Sequence, residues 1–303
     1  VSARVEADEP LMRLNQAFAT DGARLRLTGS ADTPIEIIHV ATRAEARTIA
    51  TRTVIEVAPG SSATVIETHV GEGAYLANPV TEIVLGKGAR LDRIKADRES
   101  ADALHLSHAH VTLSEGAVLR DFTLSSGARV NRQNGTYVMA GSGAEARISG
   151  SYLLAGRQHA DTRLVVDHRV PHCTSRELYK CVMDDSARGI FQGKVMVRKD
   201  AQKTDGKQSS HGLLLSETAE FDAKPELEIF ADDVVCGHGA TSGDLDHDHL
   251  FYLESRGIPE REAKALLIAA FAGEAFETVM HDGLRQALSD FAEAWLIDHK
   301  GGR

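Results

Sequence analysis

A strand–turn element that recurs along most of the chain is the feature that most limits its fold. Each copy runs from an apolar residue through a Gly or Ser and an Ala to a second apolar residue. Clear copies lie at 84–91, 113–119, 124–130 and 139–148, and weaker ones at 182–190 and 215–221. Repeated units of this kind bury their apolar faces against their neighbours and turn at small residues. We therefore predict a mainly β protein whose core is a parallel β-helix, a solenoid.

A β-sandwich is the alternative architecture, because it too is built from many short strands. Any single Gly-Ala pair is as consistent with an ordinary turn, so the prediction depends on the copies taken together. Aromatic residues make up only 5% of the chain and there are 26 glycines, which suits stacked strands with tight corners.

The C-terminal part of the chain changes to a helical pattern. Pro259 suits the first turn of a helix. Two apolar stripes follow at helical spacing, Ala263, Leu266, Leu267, Ala270 and Phe271, then Leu284, Leu288, Phe291 and Trp295. We expect the stripes to pack on each other and on the end of the solenoid. Two helices cannot cover two full stripes, so some apolar surface is left for a partner.

These patterns divide the chain into three parts. Residues 1–22 form a short N-terminal helical segment, with a helix predicted from Leu11 to Phe18. Residues 23–242 form the parallel β-helix core, and residues 243–303 form a small C-terminal α-helical domain. The chain begins at Val1 and not at Met, which is compatible with a missing N-terminal segment.

Charge, hydropathy and cysteine content exclude several classes of protein. The formal net charge is -10, whereas nucleic-acid-binding proteins normally carry a basic excess. No apolar run approaches the length of a membrane span, and the polar, acidic N-terminus has no secretory signal. The three cysteines, an odd number without zinc-type spacing, suit a reducing compartment. We expect a cytoplasmic protein that binds neither nucleic acid nor membrane.

One short motif carries most of the chemical information. Cys236 and His238 follow a run from Leu227 to Val235 that is rich in β-branched and aromatic residues and predicts a strand. Side chains two apart on a strand point the same way, so the thiol and the imidazole face one direction. Zinc and iron–sulfur centres usually take about four ligands. Because Gly237 and Gly239 leave room for another backbone, the pair predicts half of a soft-metal site, to be completed by a partner.

Two other interpretations of this motif stay open. One is a buried structural cysteine beside a hydrogen-bonded histidine, since short motifs often match by chance. The other is a nucleophilic Cys–His pair in which Asp232 or Asp233 orients the imidazole. The sequence shows no oxyanion-hole signature, and neighbouring residues on one strand are an unusual way to build such a pair.

Other clusters of ligand-type residues have less specific patterns. Asp244, Asp246, His247, Asp248 and His249 can bind a divalent metal ion. We expect instead a solvated acidic loop that caps the next helix.

Three histidines near the middle of the chain also qualify as ligands. His108 and His110 share a strand face, with His105 close by. Metal binding on a solenoid face is one interpretation, and a solvated strand face is the preferred one.

The remaining sulfur and nucleotide signals are weak. Cys173 and Cys181, with His172 beside the first, lack metal-type spacing and suit buried thiols. The chain has neither a GxxxxGK[ST] phosphate loop nor a GxGxxG motif, so we expect that it binds no nucleotide.

Three longer segments lie between Gly189 and Ile258: GIFQGKVMV, AQKTDGKQSSHGLLLSETAEFDAKPELEIFADDVVCGHGAT and LFYLESRGI. Together they resemble the SufB/SufD family of iron–sulfur cluster assembly proteins, and ADDVVCGHGAT is closer to the SufD branch. Weaker likeness extends back to LNQAFATDGARL. The resemblance implies a right-handed parallel β-helix with a C-terminal helical domain, in agreement with the pattern above.

The resemblance also implies a role and partners. In this family SufD pairs with SufB through the ends of the β-helix, and each binds one SufC ATPase through its C-terminal helices. Leu266, Leu267 and Phe271 would then help to bind SufC. His238, with Cys236 as an auxiliary ligand, would bind iron or a nascent Fe–S cluster that is transient and shared with SufB. A homodimer is an option when the chain is alone.

The sequence departs from the family in two places. Family members usually carry an additional N-terminal helical region, which is largely missing here. The DHDH run at 246–249 differs from the more common acidic pattern, and we interpret its histidines as surface variation.

Three functions are therefore compared. The first is a non-catalytic scaffold subunit of an ATPase-containing SufBCD complex. The second is a β-helix polysaccharide lyase or hydrolase with carboxylates along a groove, against which the low aromatic content argues. The third is a purely structural partner in which Cys236 and His238 are inert.

Overall fold

The computed structural model describes residues 9–42 and 47–300, and it confirms the parallel β-helix. The core consists of two parallel sheets of eight strands each. The first sheet contains β1 (Asp21–Leu27), β3 (Thr48–Val57), β5 (Leu76–Leu85), β7 (Leu104–Leu113), β9 (Val130–Met139), β11 (His159–His168), β13 (Arg188–Val197) and β15 (Glu220–Ile229). The second contains β2 (Ile35–Ala41), β4 (Ser62–Gly71), β6 (Arg90–Glu99), β8 (Val118–Ser125), β10 (Glu145–Leu154), β12 (Thr174–Met183), β14 (Asp205–Leu214) and β16 (Val235–Gly243).

The chain alternates between the two sheets, so each turn of the solenoid contributes one strand to each sheet. Strands pair in parallel across successive turns; Ser62 on β4, for example, pairs with Arg90 on β6. The glycines of the recurring motif lie at stacked corners, with φ of 64° at Gly88 and 63° at Gly116. Other residues rarely adopt this conformation. The backbone N–H of Gly88 donates to the carbonyl of Glu115 in the next turn, so the motif marks the corners where turns stack.

The interior of the solenoid is apolar on one side only. Its aliphatic cluster runs through successive turns and includes Ile55, Ile83, Leu85, Leu91, Leu113, Leu119, Met139 and Val166. The other side is filled with buried polar and charged side chains, among them Arg93, Lys95, Asp97 and His105. The apolar side therefore supplies most of the hydrophobic stabilisation between turns.

The described part of the chain contains four helices: α1 (Pro10–Phe18), α2 (His247–Ser255), α3 (Glu260–Phe276) and α4 (Asp282–Lys300). The first covers the predicted N-terminal helix and is fixed to the first sheet by Asn15, whose Nδ2 donates to the carbonyls of Thr51 and Asn78. The C-terminal part has three helices where the stripes predict two. Within the described ranges, none of the helices has the length and apolar content needed to cross a membrane.

The C-terminal helices pack against the outer face of the second sheet, and not against the end of the solenoid as expected. Apolar residues on strands β6 to β14 meet apolar residues of α3 and α4: Ile94, Phe122, Leu153, Val182 and Leu213 on the sheet, and Ile268, Ala272, Phe276, Leu288 and Trp295 on the helices. The ring of Phe122 lies edge-on to that of Phe276, with centroids 5.7 Å apart. The expectation was wrong because outward-facing apolar residues recur on successive strands and together form an apolar surface. This pattern is spread over many turns, so no short segment of the sequence shows it.

The stripes agree with the structure for α4 and only partly for α3. In α4, Leu288 and Trp295 are buried, as the second stripe predicts. In α3 the buried residues are Ala263, Ile268, Ala272, Ala275 and Phe276. Leu266 is exposed, and Leu267 and Phe271 are only partly buried. The buried face of α3 therefore combines alanines with Ile268 and Phe276.

Candidate metal centre at the last turn

Cys236 and His238 lie on β16, the last strand of the second sheet. The predicted strand from Leu227 to Val235 is wrong in its bounds, because β15 ends before a corner and β16 begins only after it. The exposed Asp232 and Asp233 form this corner, and the carboxylate of Asp233 pairs with Lys203. The two candidate ligands still lie two residues apart on one strand, so they share a face.

Within the described residues, β16 has a strand neighbour on one side only. It pairs with β14, so that Cys236 lies opposite Gly206 and His238 opposite Gln208. An unpaired strand edge presents backbone N–H and C=O groups that another chain can bind. The motif therefore lies at an open end of the solenoid.

The two candidate ligands differ in exposure and protonation. His238 is exposed, whereas Cys236 is partly buried against a small apolar cluster around Val195. Burial is the main cause that raises the pKa of Cys236, and Asp205 raises it further, against backbone hydrogen bonding that lowers it. The thiol is therefore protonated near neutral pH. A metal ion that binds the sulfur has to displace this proton.

The pair supplies two ligands and no more within the described chain. Cys236 and His238 belong to no group of three or more His, Cys, Asp or Glu side chains whose ligand atoms lie within 4.8 Å of one another, as far as the described residues go. A Cβ placed on Gly237 or Gly239 would meet no atom of the described ranges within 4 Å. The motif thus combines two ligands with open space around them.

A buried carboxyl lies in the same column of stacked turns. Glu177 on β12 pairs with Gln208, which pairs with His238. Gln208 Nε2 donates to Glu177 Oε2 over 2.7 Å, and burial raises the pKa of Glu177 to about 7. A carboxyl with this pKa can take up or release a proton near neutral pH. Sequence reasoning missed it because only the stacking of turns brings it beneath the motif.

His105 and His108 are buried, which contradicts the solvated strand face expected for them. His110 is partly buried. Burial, and to a smaller extent the nearby His110, lower the pKa of His108 to about 4. The expectation failed because β7 lies in the middle of the first sheet, between β5 and β9, and α1 also packs against it.

His105 belongs to a polar cluster inside the solenoid. Lys95 Nζ lies 2.8 Å from His105 Nε2, and it donates to Asp97 Oδ2 over 2.9 Å and to Ser107 Oγ over 3.1 Å. Gln133 Nε2 also donates to Asp97 Oδ2, over 2.7 Å. In the sequence, this cluster could have been predicted from the charged residues that alternate along β6. Rules that place apolar residues inside a strand overlook such a pattern.

The other candidates agree with their simpler interpretation. Asp246 is the N-cap of α2, since its Oδ1 accepts hydrogen bonds from the backbone N–H groups of Asp248 (2.8 Å) and His249 (3.2 Å). All three are exposed, as a solvated capping loop requires. Cys173 and Cys181 are buried free thiols. Burial raises the pKa of both, so neither is a reactive thiolate near neutral pH.

Comparisons with known proteins agree on one family. A family model described as "SUF system FeS cluster assembly, SufBD core domain" matches residues 16–271. The iron–sulfur cluster assembly protein SufD of Escherichia coli (strain K12) is 36% identical over 234 residues, 77% of this chain and 55% of that protein. An iron–sulfur cluster assembly SufBD family protein of Synechocystis is 36% identical over 219 residues, 71% of this chain and 48% of that protein. SufD of Bacillus subtilis is 41% identical over 112 residues, 37% of this chain and 26% of that protein. The chain spans about half the length of the first two relatives.

Proposed function

The chain belongs to the SufBD family of the SUF system of iron–sulfur cluster assembly, and we propose that it is the SufD-type subunit of a scaffold complex. Its partners in this proposal are a SufB-like protein and a SufC-like ATPase. Its cargo is iron or a nascent Fe–S cluster, shared with the SufB-like subunit. The chain itself is non-catalytic. The similarity to two proteins named SufD supports the proposal.

The observation that carries the proposal is the two-ligand motif at an open strand edge. Cys236 and His238 supply two ligands, whereas iron–sulfur cargo usually needs about four. A SufB-like partner that pairs with the free edge of β16 brings its own ligands close to both side chains. Ile229, Phe230 and Val235 are exposed beside this edge and offer apolar contact area.

The C-terminal helical domain, residues 243–303, is the proposed docking surface for the SufC-like ATPase. Leu266 on α3 is exposed, and so are Phe251 and Tyr252 on α2, which packs against α3. Leu267 and Phe271 are only partly buried, so part of each side chain stays accessible to the ATPase. The ATPase binds the nucleotide in this arrangement, so this chain needs no nucleotide site of its own.

The compartment and the isolated state are proposed from the same features. All three cysteines are free, which supports a reducing compartment such as the cytoplasm. The free edge of β16 is open to a second copy when no SufB-like partner is present. We therefore expect the isolated chain to form a homodimer.

Anaerobic reconstitution with ferrous iron and sulfide tests the proposal. The chain is incubated alone and together with SufB-like and SufC-like proteins, and visible absorption and iron content are measured. We expect a cluster chromophore only in the mixture that contains this chain. His238→Ala and Cys236→Ser should each lower the yield several-fold, because each removes one ligand. An equal yield with and without this chain would contradict the scaffold role.

His247→Ala and His249→Ala are matched controls for this experiment. Both histidines are exposed and lie on α2, outside β16. Size-exclusion chromatography shows whether each variant still assembles, which separates loss of a ligand from loss of the complex. If the two control substitutions lowered the cluster yield and His238→Ala did not, the metal site would have to be assigned to the acidic loop instead.

A further inference from the structure

The polar side of the solenoid interior holds more carboxylates than cations. The buried carboxylates around β6 are those of Glu67, Asp97, Glu99 and Asp121, and the buried cations are Arg93 and Lys95. Buried charges are normally paired or bind a metal ion, because removing them from water is costly. With the histidines left out of the count, four carboxylates against two cations leave two negative formal charges. One divalent cation would balance them.

Arg93 already accounts for two of the carboxylates. Its Nε lies 2.5 Å from Glu67 Oε2, and its Nη1 lies 2.9 Å from Asp121 Oδ1. The other two carboxylates, those of Asp97 and Glu99, lie at the end of β6, where Lys95 contacts Asp97 and His105 contacts Glu99. The unbalanced part of the group is therefore this end.

Three side chains with metal-ligating atoms meet at this end. His69 on β4 pairs in register with Asp97, and His105 faces them from β7 in the other sheet. One ligand atom of each residue lies within 4.8 Å of the other two, and His105 Nε2 is 3.6 Å from Asp97 Oδ1. Zinc–nitrogen and zinc–oxygen bonds are about 2.0–2.2 Å long, so two ligand atoms of one ion lie up to about 4.4 Å apart, which is close to the separation of these atoms. Two imidazoles and one carboxylate form the ligand set of non-haem Fe²⁺ sites.

One buried carboxylate oxygen of the group lacks a hydrogen-bond donor within the described residues. Asp97 Oδ1 has no hydrogen-bond partner among the described residues, and Asp97 is fully buried. Glu99 Oε2 lies 2.6 Å from His105 Nδ1, on the side of the ring that faces away from Asp97. A carboxylate behind a ligating imidazole orients the ring and raises its basicity. A cation between Asp97 and His105 would give Asp97 Oδ1 the partner that a buried carboxylate oxygen needs.

Lys95 occupies the position that such an ion would take. Its ammonium lies 2.8 Å from His105 Nε2 and 2.9 Å from Asp97 Oδ2. The side chain is long and flexible, and an internal cavity of about 20 Å³ borders Lys95, Ser107 and Gln133. The ammonium therefore has space to withdraw. The group is arranged around a cation, and Lys95 is an internal competitor for that place.

A larger cavity connects this group to the surface. Its volume is about 340 Å³, and its lining includes the exposed Ile38 together with the buried His69, Tyr75 and Glu99. His39 also lines it and stacks on His69, with ring centroids 4.4 Å apart. An ion can thus approach His69 from solvent without crossing the aliphatic side of the interior.

We propose that His69, Asp97 and His105 bind one divalent first-row transition-metal ion inside the solenoid. Glu99 orients His105, and Lys95 competes with the ion. This site is separate from the half-site at the last turn, because β8, β10, β12 and β14 lie between β6 and β16. It needs no partner protein, so it does not depend on the proposed function.

Anaerobic titration of the isolated chain with Co²⁺ tests the proposal, because protein-bound Co²⁺ gives visible absorption bands. We expect one ion per chain, with Zn²⁺ and Fe²⁺ competing for the same place. His69→Gln and His105→Gln should each weaken binding by roughly tenfold or more, as lost ligands and their supports usually do. Lys95→Met should strengthen it, because the competing ammonium is gone.

His108→Gln is the matched control, since His108 is a buried histidine on the same strand as His105 and outside the ligand set. Circular dichroism shows whether each variant is folded. If the histidine variants fail to fold, the Co²⁺ affinity of the Lys95→Met variant alone tests the proposal. A folded Lys95→Met variant with unchanged or weaker Co²⁺ affinity would make Lys95 a permanent structural cation and overturn the proposal. Binding that is lost on His238→Ala, or kept when His69 and His105 are replaced, would also overturn it.

Discussion

Arg93 shows what a buried charge requires inside a solenoid. Its guanidinium contacts Glu67 and Asp121, and Tyr137 Oη donates to Asp121 Oδ2 over 2.8 Å. All four side chains are buried. Burial opposes the charge on Arg93, but the two carboxylates outweigh it and raise the pKa of the guanidinium. The arginine therefore stays charged, and the carboxylates depend on it as their counter-ion.

Arg93→Met should destabilise the protein by about 3–5 kcal/mol, because it leaves two buried carboxylates without a counter-ion. Urea unfolding at neutral pH measures the change in the free energy of unfolding. Arg188→Met is the control: Arg188 pairs with Asp222 over 2.6 Å in solvent, and exposed ion pairs contribute little. Equal destabilisation by the two substitutions would show that burial of the Arg93 group does not matter.

Residue chemistry could be predicted from the sequence only where it is local. Cys236 and His238 are two residues apart, so their shared face follows from strand geometry alone. His69, Asp97 and His105 meet because consecutive turns stack, and no local spacing reports that. The solvated face expected for His105 failed for the same reason.

At the scale of the element, the exposed face of α3 carries the docking proposal. Leu266→Asp should leave the melting temperature nearly unchanged, because the side chain is 48% exposed. It should weaken binding to the SufC-like ATPase roughly tenfold or more, as loss of a central contact does. Calorimetric titration with the purified ATPase measures this. Ile297→Asp, at an exposed position on α4, is the control, and equal effects of both would exclude a specific role for Leu266.

Elements were predicted well in type and less well in their bounds and faces. Helical periodicity gave α3 and α4, but the face of α3 that packs depends on the sheet beneath it. The apolar run from Leu227 to Val235 predicts one strand, although the turn at Asp232 and Asp233 divides it. Stacking fixes where each turn bends, and a single run of residues does not contain that information.

At the scale of the whole molecule, the helices connect several turns of the solenoid. The single tryptophan, Trp295, lies buried in the apolar cluster that α3, α4 and the second sheet share. Because α3 and α4 contact strands from β6 to β14, the helices and the solenoid should unfold together. We expect tryptophan fluorescence and far-ultraviolet circular dichroism to give the same midpoint in urea.

Phe276→Ala provides the comparison, because Phe276 packs against Phe122 of the sheet. The substitution should cost about 3–5 kcal/mol and separate the two midpoints, with the fluorescence change first. Separate midpoints in the unaltered protein would contradict the coupling. The position of the helices on the sheet could not be predicted from the sequence, since it depends on outward-facing residues spread over many turns.

The charged side of the interior also bears on how the chain finds this arrangement during folding. The turns of a solenoid resemble one another, so a strand can pair with the wrong neighbour or slide along it. An aliphatic interior penalises such errors only weakly. A slip that moved Arg93 away from Glu67 and Asp121 would leave buried charges unmatched, at a cost of several kcal/mol. We infer that these ion pairs specify the register between neighbouring turns. They favour the native order of turns over misfolded alternatives during folding.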